Sequence, residues 1–295
     1  MRMLKTFQKS LEEDSNSLYE QFKKIHEKIM EKINEIEVPR FRFLINLEII
    51  AFYLFYRRVS IAGDLINSFK EEFGIEIVED GVLGKRTKWQ QKAVSQFHVL
   101  INQQTPLFDA SEVTHGNHKL PELLKLDDDT RLETIVFLDD TKNELQILSS
   151  ALQNFALIYI RHKELSQPID KLVDEEIKPY LNTLLHQSHG PWSIRIETLL
   201  TNIRFESNQR RSVDRSLRQC EELVNMINKS EDVTVHRLSY IFSSLMTPRY
   251  KMEELLANIM VSLGLTKAAL DMFLKIRNWE EVINCYNRLE MRHKA

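Results

Sequence analysis

Glycine and proline are scarce in this chain of 295 residues, seven of each, which is about 5% where ordinary usage gives roughly 12%. Sandwiches, collagen, glycine-rich phosphate-binding folds and disordered chains all need turn residues in number, so the shortage argues against each of them. Charge of one sign is lacking too. Forty Lys and Arg face 43 Asp and Glu, a formal net charge of −3, so the chain as a whole has neither the basic excess of a typical nucleic-acid binder nor an acidic tail's repulsion. What remains is a mostly helical protein, with 43% hydrophobic residues to fill a sizeable core.

Only two cysteines occur, Cys220 and Cys285. They can supply neither a disulfide framework nor a four-thiolate zinc site, and a reducing compartment is the simplest reading. The opening residues, MRMLKTFQKSLEEDS, have no continuous apolar stretch and no small-residue cleavage site, so no secretory signal is read there. The longest apolar run, Phe41 to Tyr56, has 13 apolar residues in 16 where a spanning helix needs about 20. It also contains Arg42, Asn46 and Glu48. It reads as a helix buried on most sides in a soluble protein, with a membrane-associated segment as the lesser alternative.

What is present is helical period. Leu18, Phe22, Ile25, Ile29, Ile33 and Ile36 step by three and four while Lys and Glu fill the other face, and Val38-Pro39 stops that helix. The apolar helix follows, then a third that Ser60 caps and Gly74 ends. Residues 75 to 86 break the period and read as an extended loop, and a fourth helix is expected from about Thr87 to Asn102. Thr105 to Pro121 reads as the most mobile loop. Thr141-Lys-Asn-Glu144 forms a capping box that should open a helix running to about Leu165. Further helices are expected over 170–187, interrupted at Pro179, and then over 192–208, 211–228, 233–243, 249–263, 266–276 and 279–290. Ala269 and Phe273 fall where a tetratricopeptide repeat sets its small and aromatic packing residues, and Trp279 would open the next unit.

Chemistry is harder to find. Gly81-Val-Leu-Gly84-Lys85-Arg86-Thr87 has two residues between its glycines where a phosphate-binding loop needs four, and Arg86 separates the lysine from the threonine. His115 with His118, and His186 with His189, lack carboxylate or thiolate partners at ligand spacing, so no metal is expected. Asp127-Asp128-Asp129 lacks the alternation and glycine of a calcium loop. No nucleophile elbow occurs and neither cysteine stands in a nucleophile motif. The chain therefore reads as having no catalytic residues, no cofactor and no enzymatic activity. The one charged constellation is Arg204, Arg210, Arg211, Arg215 and Arg218, interleaved with Glu206, Asp214, Glu221 and Glu222. A solvated face with local ion pairs is its plainest reading, and a site for an acidic peptide or RNA is the alternative. Together with Lys85 and Arg86 these are the candidate partner-binding residues. The absence of interleaved aromatics disfavours nucleic acid.

Several ordered strings resemble the eukaryotic tetratricopeptide repeat protein 27 family. They are Asp80-Gly-Val-Leu-Gly-Lys-Arg-Thr-Lys-Trp-Gln90, Trp192-Ser-Ile, Arg211-Ser-Val-Asp-Arg-Ser-Leu217, His236-Arg-Leu-Ser-Tyr-Ile241, Pro248-Arg249, Ser262-Leu-Gly-Leu-Thr-Lys-Ala-Ala-Leu270 and Trp279-Glu-Glu-Val-Ile-Asn-Cys-Tyr286. The resemblance covers about residues 40 to 295 and leaves 1–38 unmatched. It implies a cytoplasmic, or also nuclear, helical scaffold linked to chaperone-assisted assembly, binding other proteins and no membrane. It also implies that the chain is the amino-proximal and middle part of a longer protein, stopping ahead of the main repeat array.

The expected fold is thus all-α, an open α-solenoid of helix pairs. Residues 1–103 would form an N-terminal helical region, 104–121 a mobile loop, 122–248 a middle helical region and 249–295 degenerate tetratricopeptide-like helices. With so few complete repeats, capture of an acidic chaperone tail is not expected. The last helices would present Trp279, Val282, Ile283, Tyr286 and Leu289 uncovered, and fraying or self-association through that end is expected.

Overall fold

The computed structural model describes residues 1–11, 13–108, 120–168, 170–229 and 235–295. Eleven helices of the described residues run in chain order: α1 (Arg2–Lys9), α2 (Asn16–Lys32), α3 (Pro39–Phe55), α4 (Val59–Phe73), α5 (Ser150–Ser166), α6 (Lys171–Leu185), α7 (Trp192–Ser207), α8 (Val213–Lys229), α9 (Arg249–Ser262), α10 (Thr266–Ile276) and α11 (Trp279–Arg288). Between α4 and α5 lie three strands, β1 (Ile75–Thr87), β2 (Val94–Gln103) and β3 (Arg131–Phe137). The chain divides into two compact units, and the division falls within α7. The first unit holds Met1–Leu120, Thr130–Thr198 and Thr234–Met246, and the second holds Pro121–Asp129, Leu199–Val233 and Thr247–Ala295.

The expectation of an all-α fold is corrected by the sheet. β1 is central, antiparallel to β2 from Ile75↔Gln103 to Gly84↔Val94 and antiparallel to β3 around Gly84↔Phe137. A loop was expected where β1 lies and a helix where β2 lies. The deciding pattern in β2 is Phe97-x-Val99-x-Ile101, β-branched and aromatic residues at period two that place one side on a neighbouring layer. Glycine suits position 84 of β1 because side chains of both neighbouring strands occupy the space beside it: a Cβ there would sit 2.9 Å from Ile135 Cγ2 and 3.2 Å from both Phe137 Cδ1 and Gln96 Cγ.

In the first unit α3 is the core element. Phe43, Leu47 and Ile49 through Leu54 are all buried, as expected of a helix that is apolar on most sides. Among the described residues no helix is long and apolar enough to cross a membrane. Phe22 of α2 stacks on Phe52 of α3, and Phe69 of α4 stacks on Phe155 of α5, the latter with centroids 5.5 Å apart. Proline opens α3 at its first turn, where its missing N–H is no loss. Gly74 closes α4 in the left-handed region at φ 58°, a conformation open to glycine at no steric cost.

Several boundaries differ from expectation. α2 ends at Lys32 and passes into a short 3-10 helix, Ile33–Glu35, so Ile36 lies beyond it. Arg58 rather than Ser60 precedes α4. The Thr141–Glu144 box does not open α5. Instead Asp139 accepts the Thr141 amide to begin a 3-10 turn, Asp140–Asn143, and α5 starts six residues after Glu144, with the Ser149 hydroxyl taking the Leu152 amide. α6 continues through Pro179. In place of a helix over 233–243 there is a 3-10 turn, Val235–Leu238, followed by turns. Most of the loop expected at 105–121 falls at 109–119, outside the described residues.

Candidate functional site

In the second unit α8 packs on α9, α9 on α10 and α10 on α11. The turn between α9 and α10 passes through Gly264 at φ 80°, which lets the two helices fold back on each other. Ala269 and Phe273, one turn apart on α10, are fully buried with Ala257, Leu270, Val282 and Cys285. The small residue allows close approach and the ring fills the space beside it. Glu253 of α9, itself buried, accepts from Lys275 of α10 at 2.8 Å and from Arg249 at 3.4 Å. Burial would raise the Glu253 pKa, but the hydrogen bonds and charges of Lys275 and Arg249 outweigh it and hold the pKa below the usual carboxylate value.

The outer face of α11 is apolar where it meets solvent. Trp279 is 61% exposed and Ile283 44%. Val282, expected to be uncovered, is instead buried against α10, while Tyr286 and Leu289 are half-buried. Both thiols are buried, Cys285 within the apolar cluster of α9–α11. Burial pushes Cys220 up to about 12 and raises Cys285 as well, so each is held as the protonated thiol rather than the nucleophilic thiolate.

The arginines do not form one patch. Arg215 is buried in a bidentate pair with Glu206, its Nε 2.9 Å from Oε2, and Arg204 donates to the Thr247 hydroxyl at 3.0 Å. Arg211 is exposed and lies 3.7 Å from Asp128, which gives that acidic run a structural partner. Arg210 and Arg218 are exposed as well. In the first unit, Lys85 is half-buried on β1, and Arg86 beside it bonds Gln96 and Glu175. The Gly81–Thr87 string is thus strand, with its glycines set by strand packing. His115 and His118 lie outside the described residues, and among the described residues no group of three His, Cys, Asp or Glu side chains could hold a metal.

A feature that the helical reading could not have found is a cleft of about 500 Å³ in the first unit, formed by β2, β3, the 142–146 segment and α6. Phe97, Val99, Ile135 and Phe137 give it apolar walls, and His98, Asn182 and Thr183 add polar groups. Burial lowers the His98 pKa and Lys142 adds to the effect, against Asp80. This favours the neutral ring.

Three relatives share most of the chain. The tetratricopeptide repeat-containing protein trd-1 of Caenorhabditis elegans is 32% identical over 287 residues, covering 91% of this chain and 36% of that protein. A TPR repeat-containing protein of Schizosaccharomyces pombe is 28% identical over 302 residues, covering 86% and 36%. The tetratricopeptide repeat protein 27 homolog of Dictyostelium discoideum is 21% identical over 263 residues, covering 88% and 30%. The chain is thus similar to tetratricopeptide repeat proteins, a tetratricopeptide repeat protein 27 homolog among them. It spans about a third of the length of the curated relatives it matches. No family model and no solved structure matches it. Similarity to tetratricopeptide repeat proteins accords with the predominance of helices and with the buried Ala269 and Phe273 pair. The sheet is an addition that the repeat motif does not predict.

Proposed function

We propose that the chain is a non-catalytic helical-repeat scaffold that binds other proteins, in the cytoplasm or also the nucleus, during chaperone-assisted assembly of larger complexes. The observation that carries this reading is similarity to tetratricopeptide repeat proteins along 91% of the chain. Stacked helix pairs bury one face against their neighbours and leave another for partners. The exposed Trp279 and Ile283 supply the apolar part of that surface. Aromatic anchors of this kind dominate binding energy at protein interfaces, and they also serve self-association. Arg210, Arg211 and Arg218 supply charge for acidic segments, and Lys85 and Arg86 do so on the sheet.

The test is affinity purification with quantitative mass spectrometry on three forms of the chain: unchanged, with Trp279→Ala and Ile283→Ala, and with Arg210, Arg211 and Arg218 each changed to Glu. Circular dichroism checks that each form stays folded. Loss of a defined set of proteins from one variant is the expected result. Recovery of the same proteins by all three forms would contradict the reading. Binding to RNA that falls steeply with added salt would favour the nucleic-acid alternative instead.

A further inference from the structure

The register of β2 fixes which of its backbone groups are used. Gln104 donates its amide to the Gly74 carbonyl at 2.9 Å, and the pairing runs on from there as Gln103↔Ile75, Asn102↔Glu76 and Ile101↔Ile77. In an antiparallel ladder, alternate residues exchange both backbone bonds with the partner strand and the intervening ones turn both groups away. Even-numbered residues of β2 therefore bond β1, and the odd-numbered residues Ile101, Val99 and Phe97 direct N–H and C=O outward.

Ile101 shows what those outward groups accept. The Gln146 side-chain amide spans it, Oε1 accepting the Ile101 amide at 2.9 Å and Nε2 donating to the Ile101 carbonyl at 2.8 Å. One side chain thus reproduces a rung of a further strand. Gln146 is held in that place because Gln187 donates to its backbone carbonyl at 2.7 Å while also accepting the Leu148 amide at 3.0 Å. The next two rungs, Val99 and Phe97, have no answering group among the described residues, and both line the cleft. A cleft of about 500 Å³ falls within the roughly 300–1,000 Å³ usual for ligand sites.

From this we infer that the cleft takes an extended, apolar segment of a partner protein as an added strand on β2, continuing from the Gln146 rung past Val99 and Phe97. Backbone pairing selects an extended peptide and side pockets then set its sequence. The apolar preference follows from the lining. Val136 and Leu145 stand half-exposed at the cleft, Lys142 is paired with Asp80 at 3.5 Å, and Glu144 is the single carboxylate in the lining. The site does not depend on the helical-repeat surface of α8–α11, so either can fail without the other.

The test selects short disordered peptides displayed on phage against the whole chain, then measures the selected peptides by fluorescence polarisation. Binding should weaken at least tenfold against Asn182→Trp, which fills the cleft. On the unchanged protein, each peptide should be rescanned with single N-methylated amides. Strand addition predicts roughly tenfold losses at every second amide and little change at the intervening ones. Selection that yields no peptide sensitive to Asn182→Trp would overturn the inference. So would binders whose N-methyl scan lacks alternation, or dimerisation of the chain through β2 in place of peptide binding.

Discussion

Arg215 and Glu206 face each other across the turn between α7 and α8, with Arg215 Nε 2.9 Å from Glu206 Oε2 and the two side chains 9% and 3% exposed. Removing one partner from such a pair leaves the other as a buried, uncompensated charge. Arg215→Met should therefore cost about 3–5 kcal/mol, read as a lowered denaturant midpoint. Arg215→Met combined with Glu206→Leu should recover much of that loss, because an apolar pair of similar volume needs no compensation. A double variant as unstable as the single one would show that the pair's hydrogen bonds, including Arg215 to the Leu124 carbonyl at 3.4 Å, matter more than its charge.

Lys5 on α1 is buried, donating to the Phe242 carbonyl, and burial pulls its pKa down to about 7, with Lys9 pushing the same way and Glu48 opposing. In the unfolded chain a lysine titrates near 10.4. Between those values the unfolded chain binds more protons, so stability should rise with pH, by up to about 1.4 kcal/mol per pH unit from this group. Denaturation at pH 7 and pH 9 should show the rise in the unchanged protein and a smaller one in Lys5→Met. Equal slopes in the two would place the charged ammonium in the native state at neutral pH.

Gly84 is flanked by the side chains of Ile135, Phe137 and Gln96, with no room for a side chain of its own. Gly84→Val should push β3 away and destabilise the first unit by about 1–3 kcal/mol. Hydrogen exchange should show faster loss at β3 than at α3. Uniform loss across the first unit would mean that the sheet and the helical core unfold together.

Arg277 closes α10 at φ 60°, a region where a side chain is strained and glycine is not. Arg277→Gly should raise the melting temperature, the strain relieved being about 1 kcal/mol. A fall would mean that the arginine side chain contributes more than its backbone conformation costs.

The helices were legible because each repeats one apolar face over several turns: α7, α9 and α10 lie within two residues of where period and punctuation put them. β2 was not. Its Phe97, Val99 and Ile101 alternate, but Gln, His and Asn beside them suit an exposed helix face as well, and the shortage of glycine weighed toward helix throughout. β1 carries Gly81 and Gly84 for contacts that exist only once β2 and β3 are paired. The same holds for the site residues. Sequence placed five arginines near each other, yet only the fold buries Arg215 on Glu206 and leaves Arg210 and Arg218 in solvent. The cleft needed strand register, down to which residues of β2 turn outward, and no local pattern encodes that.

The central claim is that α8–α11 form a surface on which other proteins bind. Hydrogen exchange of the chain, free and in complex with a protein that co-purifies with it, tests this most directly. The account predicts slowed exchange on α10 and α11 in the complex, lost when Trp279 and Ile283 are changed to alanine. Unchanged exchange over residues 249–288 in a stable complex would contradict it.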